Sequence, residues 1–587
     1  MAGSTHTVTN QAPPLVDYDV FTADRALAEA VRRHLAPTVR EEALAELSEL
    51  GRACGSAQVR EWGEQADRNP PVLRTHDPRG RRVDEVESHP AWHRLLGKGV
   101  GAGLTSAWTR PGGHVRRAAG LLVWAQADAG VALPLSSTHA AVPALRAEPG
   151  PAAEWEPLLT SPVYDPDPRP PRHKAGALCG VALTEKQGGG PAAVTTSARP
   201  SAADGTYELT GHTWFCSAPM ADGFLVLART PGDAGAFGDT GTFGDVGHFG
   251  DTGAFRDAGH FGDTEPFRDA GDEAGAGPTC FLVPRVLPDG TRNPFRLQRL
   301  KDTLGHRSAA CAEVEFTGAR ALRIGPEGHG ARTLAQTRAA TRLDGVVGSA
   351  ALMRRAVAEA VHHCAHREVT GGKLADRALM RAVLADLAVE SEAATVLALR
   401  LAAAWDDGGE GERALLRIAL PAAAFRVTGR CAPVVVEAAE CLGGNGYVEE
   451  SGLPRLVRAA PLGSLWAGPG NVLALDAVRV LGREPLALDA YLTEVGRARG
   501  ADRRLDRAIR GLLTELADLE AAEGRARRVA ERLAVVLQGA LLVRHGPPEV
   551  ADVFCASRLG GDGGAAFGTL APTPDLAAVV GRARPVS

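Results

Sequence analysis

No two of the nine cysteines in this 587-residue chain form a C-x-x-C pair, and their number is odd. Scattered between Cys54 and Cys555, they give neither a disulfide framework nor a zinc site, so no metal is expected. No run of 18 apolar residues occurs, and no membrane span is expected. The first fifteen residues lack a basic stretch followed by an apolar one, so no signal peptide is expected either. These absences point to a soluble chain in a reducing cytoplasm. Lysine is scarce, five against sixty arginines, which reads as a coding bias.

What is present is globular. Apolar residues make up 44% and charged residues 23%, and the length allows three or four domains around a large core. The net charge of −5 hides an asymmetry. Between Asp233 and Glu273 there are ten acids and two arginines; between Arg497 and Arg544 there are eleven arginines and seven acids.

Periodicity suggests an α+β, mostly α chain with four parts. Residues 1–177 read as a helical domain, and 178–322 as an antiparallel β-domain of short strands between turn dipeptides. Residues 323–484 carry long helical patterns suited to a four-helix bundle, and 485–587 an Arg-rich helical extension with a fraying end. Within the β-domain, the insert 231–277 repeats a phenylalanine every six residues from Phe237 to Phe267, each followed two positions later by an aspartate. A hexapeptide β-helix or a calcium-binding turn array would share that period. Each repeat brings only one large apolar side chain, however, so a disordered loop is expected.

Four segments carry chemistry. Thr184 to Gly190 is a glycine-rich turn that lets backbone N–H groups approach a flat or anionic ligand, although such turns are common. Gly211 to Ser217 puts Trp214 on a strand, where it packs in a core or stacks on a planar ring. Cys441 to Tyr447 follows a helix, and a C-cap explains one of its three glycines. Leu453 to Leu456 leads to the turn Ser464 to Asn471, which opens a helix whose free N–H groups suit a carbonyl or phosphate.

In order and spacing, these segments resemble the acyl-CoA dehydrogenase superfamily. With Thr5 to Gln11 and Arg81 to His93, the chain is most similar to its AidB-like branch, the DNA alkylation response flavoproteins. The similarity covers nearly everything except the repeat insert. It implies the acyl-CoA dehydrogenase fold with an extra helical domain, and FAD between β-domain and bundle in a homotetramer. It also implies roles by position. Thr184, Gly188, Gly189 and Gly190 would border the flavin, and Trp214 would stack on it with Cys216 and Ser217 beside. Arg367 would reach the pyrophosphate; Gly443, Gly444 and Gly446 would meet the adenosine half of a neighbouring subunit's FAD; Asn471 would lie on the flavin-side turn.

The chain departs from the family at the acid that removes the substrate α-proton. The usual position holds Ala467, and the alternative helix position holds Thr341. Asp344, three residues on, is a shorter substitute on roughly the same helix face, or else a polar residue that meets another subunit or a core arginine. Gly190-Pro191 and Thr370-Gly371 also differ from the family's pattern near FAD. The expectation is therefore a flavoprotein with impaired dehydrogenase chemistry and a role in DNA protection. The alternatives are an active acyl-CoA dehydrogenase using another carboxylate and a flavin-free interaction tetramer. Arg503, Arg507 and Arg510, and Arg525, Arg528 and Arg532, form two stripes at helical spacing. They suit DNA phosphates without sequence readout, or are simply solvated faces. The acidic insert could compete with DNA for that region.

Overall fold

Short polar residues and prolines set the helix starts in the first 160 residues of this computed structural model, which describes residues 5–201, 205–231, 277–466, 468–517, 522–573 and 575–585. The repeat between Phe237 and Asp269, with the expectations attached to it, lies outside the described residues, and so does Ala467. Asp24 accepts from the Leu27 N–H to open α1 (Arg25–His34), Pro37 begins α2 (Pro37–Gly55), and Ser56 caps α3 (Ala57–Arg68). The helices α4 (Pro90–Gly101), α5 (Gly113–Trp124), α6 (Ala132–Leu145) and α7 (Pro149–Leu159) complete this layer. The all-helical reading of this region missed a hairpin, β1 (Val72–His76) and β2 (Arg82–Glu87), joined through Asp77–Gly80. Its strands are short and mostly exposed, so they carry little hydrophobic alternation.

The middle of the chain forms a seven-stranded sheet from β3 (Cys179–Ala182), β4 (Ser197–Pro200), β5 (Tyr207–Ser217), β6 (Gly223–Ala228), β7 (Thr279–Pro284), β8 (Phe295–Leu300) and β9 (Cys311–Ile324). The order is β3-β6-β7-β9-β5-β4, with β8 paired to β9. The expected antiparallel pairing is corrected at one edge, where β3 and β6 run parallel. The chain leaves β3, builds β4 and β5 at the opposite edge, and returns beside β3, the long crossover that a parallel pair requires. Phe224 stacks on Phe295 at 4.5 Å inside this domain.

Four long helices follow: α8 (Ala335–His366), α9 (Ala378–Asp407), α10 (Glu410–Glu440) and α11 (Gly470–Arg483). By length and composition α10 could cross a membrane, but 72% of its most apolar stretch is buried in the bundle, as befits a core helix. The extension adds α12 (Pro485–Gly496), α13 (Arg503–Leu516), α14 (Ala522–His545) and α15 (Asp575–Ala583).

Carboxylates lock these layers together. Asp406 of α9 accepts from the His114 and Val115 N–H groups at 2.9 Å each and so caps α5 from another domain. Glu390 of α9, 2% exposed, meets Arg426 of α10 at 2.7 Å and Arg558 of the extension at 3.0 Å. Burial pushes the Glu390 carboxyl up, but Arg426, Arg558 and Arg430 outweigh it and bring the pKa down to about 2. A depressed carboxyl pKa stabilises the fold fully above its ordinary value of 4.5 and loses that contribution as the pH falls toward 2. Glu390→Gln should cost about 3 kcal/mol at neutral pH in equilibrium urea unfolding. The gap from the parent should narrow as the pH is lowered from 5 toward 2.

Candidate functional site

The turn after β3 is held by a buried carboxylate. Glu185, 4% exposed, accepts from the N–H groups of Thr195 and Thr196, the Thr195 hydroxyl and the Gln187 amide. Burial pushes this carboxyl up, but the bonds from the two threonines prevail and hold it below its ordinary value. Glu185 and Gly188 exchange backbone hydrogen bonds of 3.2 Å, and the Lys186 N–H donates to His212 Nε2 at 3.1 Å, so Thr184 to Gly190 has one fixed shape. A Cβ on Gly190 would meet nothing within 4 Å, and one on Gly189 would touch only Thr184, at 3.4 Å; one on Gly188 would meet Ala193 at 3.5 Å. The fold does not require glycine at 189 or 190, and both leave the turn's backbone open to close approach.

Trp214 lies beside this turn, its N–H donating to the Thr184 carbonyl at 2.7 Å. Its half-buried indole collects cations: Lys301 Nζ lies 3.2 Å from the ring centroid, Lys186 Nζ 5.1 Å and the Arg299 guanidinium 5.8 Å. Two of the chain's five lysines thus converge on one ring, an arrangement that coding bias does not explain. Ser217 is half-buried at the strand end, whereas Cys216 packs in the β-domain core, where burial pushes its thiol up.

Helix α6 links this strand end to a pocket. Its Thr138 hydroxyl accepts from the Cys179 N–H at 3.1 Å, and its Ser136 hydroxyl donates to Asp344 on α8. The pocket lies between α5, α6, α8 and the segment before residue 467 and is partly open, with Leu121, Leu133, Leu352 and Trp466 in its wall. The loop 301–310 joins the two features, with Lys301 over the indole and His306 in the pocket wall.

Asp344 lines this pocket but is engaged. Arg117 Nη1 and Nη2 donate to its two oxygens at 2.5 and 2.8 Å, and Arg117 and Asp344 are 4% and 3% exposed. Asp344 is thus held in an ion pair with a core arginine and is not poised as a proton acceptor. Thr341 donates to the Arg338 carbonyl at 2.9 Å.

The other expected cofactor residues lie elsewhere. Arg367 follows α8 and donates to the Asn10 carbonyl at 2.5 Å. It stands roughly 35 Å along the helix axis from Asp344. The turn Gly443–Tyr447 is at the same end, where Cys364 of α8 donates to the Cys441 carbonyl at 3.7 Å. A Cβ on Gly446 would stand 1.9 Å from the Ala439 carbonyl oxygen, and Gly443 has φ +61°, so the fold accounts for both glycines. Gly444 faces open space. Asn471, at the start of α11, accepts from Arg527 at 2.8 Å. Arg367 and the 443–447 turn therefore stand at the end of α8 remote from Asp344.

The two arginine stripes differ. Arg503, Arg507 and Arg510 are exposed on α13 and form no ion pair with described residues. Arg528 meets Glu515 at 2.9 Å, Arg532 binds the same carboxylate, and Arg525 donates to the Glu515 carbonyl at 3.4 Å. The second stripe therefore clasps α14 to α13. Sequence reasoning missed Glu185, Arg117, Ser136, Lys301 and His306. A charge inside the apolar α5 and the rarity of lysine were the signals for Arg117 and Lys301.

Comparison with known proteins supplies the family. Residues 10–166 match the adaptive response protein AidB N-terminal domain, and residues 328–482 the acyl-CoA dehydrogenase C-terminal domain. The chain is 38% identical to AidB of Escherichia coli (strain K12) over 570 residues, 96% of each chain. Caenorhabditis elegans ACDH-11, solved in complex with C11-CoA, superposes with a TM-score of 0.80 at 25% identity, over 95% of this chain and 94% of that one. A glutaryl-CoA dehydrogenase from Mycobacterium smegmatis in complex with FADH2 shares the fold at a TM-score of 0.51 and 17% identity, over 78% of this chain and 94% of the other.

The geometry gives Asp344 a structural role. Asp344→Asn leaves a buried guanidinium without its counter-charge and should lower unfolding stability by about 3 kcal/mol, ligand present or absent. A carboxylate standing free in the pocket would change stability by less than about 0.5 kcal/mol on the same substitution, as measured by urea unfolding.

Proposed function

Because this chain belongs to the acyl-CoA dehydrogenase family, in its AidB-like branch, its cofactor is FAD, and we propose that it is an alkylation-response flavoprotein that works in association with DNA and has impaired dehydrogenase chemistry. The observation that carries the impairment is the state of Asp344. It is the only carboxylate lining the apolar pocket among the described residues, and Arg117 and Ser136 hold it. Positions 341 and 467 carry threonine and alanine. Loss of a general base costs about 10²–10⁴-fold in rate.

The residues present fit the cofactor. Gly189 and Gly190 leave room for close approach, Trp214 offers a ring face, and Lys186 and Lys301 bring positive charge beside it. When bound, FAD supplies a two-electron acceptor. The chain's own part is to hold an acyl thioester in the apolar pocket, exclude water with Leu121, Leu133 and Trp466, and keep Asp344 away from the ligand's α-proton. Arg367 and Gly444 lie at the other end of α8, roughly 35 Å along its axis from Asp344. Leu379 and Tyr447, at the same end of the bundle, are 86% and 93% exposed. Together these support a homotetramer in which this end completes a neighbour's site. Arg503, Arg507 and Arg510 supply the face for double-stranded DNA, by phosphate contact without sequence readout. Nine unpaired cysteines support a cytoplasmic setting.

Purified protein should be yellow and elute as a tetramer; a colourless protein that takes up no FAD would instead favour a flavin-free interaction tetramer. Under anaerobic conditions acyl-CoA should bleach the flavin slowly, and Ala467→Glu should accelerate bleaching by at least about tenfold. Fast bleaching by the unaltered protein would mean an active dehydrogenase using another carboxylate. Replacing Arg503, Arg507 and Arg510 by glutamine should weaken DNA binding in a gel shift. The slope of log affinity against log salt should then flatten by about one for each phosphate that the protein no longer neutralises.

A further inference from the structure

The apolar pocket does not close on an apolar wall. Helix α8 serves as a ruler: Asp344 marks one end of its share of the lining and Leu352, about 12 Å along the axis, marks the other. At Leu352 a second, small recess adjoins it. The recess shares His306, Leu352 and Ala459 with the pocket and adds Asp67, Gln126 and Arg455. An apolar chamber thus ends in polar side chains.

Two polar atoms at this junction have no partner. His306 Nδ1 and Arg455 Nη1 are both shut off from solvent, and neither makes a hydrogen bond. The other polar groups are satisfied. Asp67 accepts from Arg458 at 3.1 Å, and Asp128 accepts from Ser308 at 2.7 Å and from the Gly130 and Val131 N–H groups. The Gln126 amide donates to the Leu122 carbonyl at 3.1 Å, and Arg455 Nη2 donates to the Ala127 carbonyl at 2.9 Å. His306 is also held in the left-handed backbone region at φ +55°, between the Ser308–Asp128 bond and Gly305, where a Cβ would lie 2.2 Å from the Arg458 carbonyl oxygen. The fold keeps a strained histidine whose ring pairs with nothing in the protein and, in the lining of the same recess, a guanidinium N–H without a protein partner; both call for a partner from outside the chain.

We propose that this recess receives a neutral hydroxyl at the far end of a ligand's acyl chain, so that the pocket prefers hydroxy-terminated acyl-CoAs to plain acyl-CoAs of the same length. The proposal rests on the acyl-thioester reading of the pocket given above. A hydroxyl both accepts, as Arg455 Nη1 requires, and donates, as an unprotonated ring nitrogen requires. Burial pushes His306 down to about 4 against the pull of Asp67, so its ring is neutral at pH 7. A terminal methyl would leave both atoms unpaired and gain little from the polar wall. A terminal carboxylate could pair with Arg455 but would face Asp67 and Asp128 in the same recess, which disfavours it.

The test uses the unaltered FAD-loaded protein and reads the perturbation of the flavin absorbance spectrum under titration, which needs no turnover. The probes are hexanoyl-, octanoyl- and decanoyl-CoA and their ω-hydroxy and ω-carboxy counterparts. At the length that reaches the recess, the ω-hydroxy ligand should bind at least tenfold more tightly than the plain chain, with the ω-carboxy ligand weaker than both. His306→Asn, which tolerates the left-handed backbone, and Arg455→Met should each shrink the hydroxyl preference, read as the ratio of hydroxylated to plain-chain affinity within the same variant, to less than threefold. Plain chains binding as well as or better than hydroxylated ones at every length would overturn the inference and leave the thioester site standing. Tighter binding of the carboxylate would overturn it in favour of a charged terminus. If no acyl-CoA perturbs the flavin, the thioester reading itself fails and takes this inference with it.

Discussion

At one point in the interior, three helices meet through a single ion pair. Arg117 of α5 grips both oxygens of Asp344 on α8, and Ser136 of α6 adds a hydroxyl to the same carboxylate. A pair this deeply buried contributes little net stability compared with apolar side chains of the same size, because both charges lose their water. What it does is fix geometry, since either partner left alone would be strongly unfavourable. It sets the register of α5 and α6 against α8 and hence the walls of the apolar pocket. Through α6, whose Thr138 accepts from the Cys179 N–H, it also sets the distance from that pocket to β3, the strand that leads to Thr184, whose carbonyl accepts from the Trp214 backbone N–H. The same contact engages both oxygens of the pocket's one described carboxylate.

The chain repeats this device wherever layers join. Glu390 gathers Arg426, Arg430 and Arg558; Glu494 gathers Arg400, Arg497 and Arg544; Arg582 spans Glu29 and Glu392. A planar guanidinium can serve two acceptors at once, which suits it to clasping helices in a way that an ammonium cannot match. The arginine excess is thus largely structural, even in the basic extension, where Glu515 takes up Arg528 and Arg532. Two of the five lysines stand where a compact charge fits. Lys174 is buried against Asp222 at 2.6 Å, and Lys301 binds Glu313 at 2.6 Å while its ammonium sits over Trp214.

The long helices were legible because their apolar period runs for eight turns or more, as in α8, α9 and α10. The glycine turn and Trp214 were legible because ordered motifs at family spacing restrict the alternatives. Three kinds of feature were not. The parallel pairing of β3 with β6 depends on where a 40-residue excursion returns, and no local pattern encodes that. The β1–β2 hairpin has too little burial to alternate. Contacts between side chains far apart in sequence, such as Arg117 with Asp344 or Glu185 with Thr195, leave no periodic trace at all. Asp344 shows the limit most clearly: its helical position was read correctly, but whether it was a base or a buried counter-ion depended on a residue 227 positions away.

A pocket can lose turnover and keep its ligand. A general base acts in the transition state, so its absence slows the chemical step while ground-state contacts along the acyl chain stay as they are. The apolar wall of Leu121, Leu133 and Leu352 does not depend on position 467, nor do the cations around Trp214 or the unpaired atoms of His306 and Arg455. Binding to such a site stabilises the folded state in proportion to the logarithm of ligand concentration over its dissociation constant, with or without reaction. The stabilisation acts where it couples most widely, because the pocket wall is built on α5, α6 and α8, the helices that the Arg117–Asp344–Ser136 contact already ties together. A ligand bound there would tighten the joint between the N-terminal helices and the bundle, the joint against which Asp406, Glu390 and the arginine-rich extension are anchored.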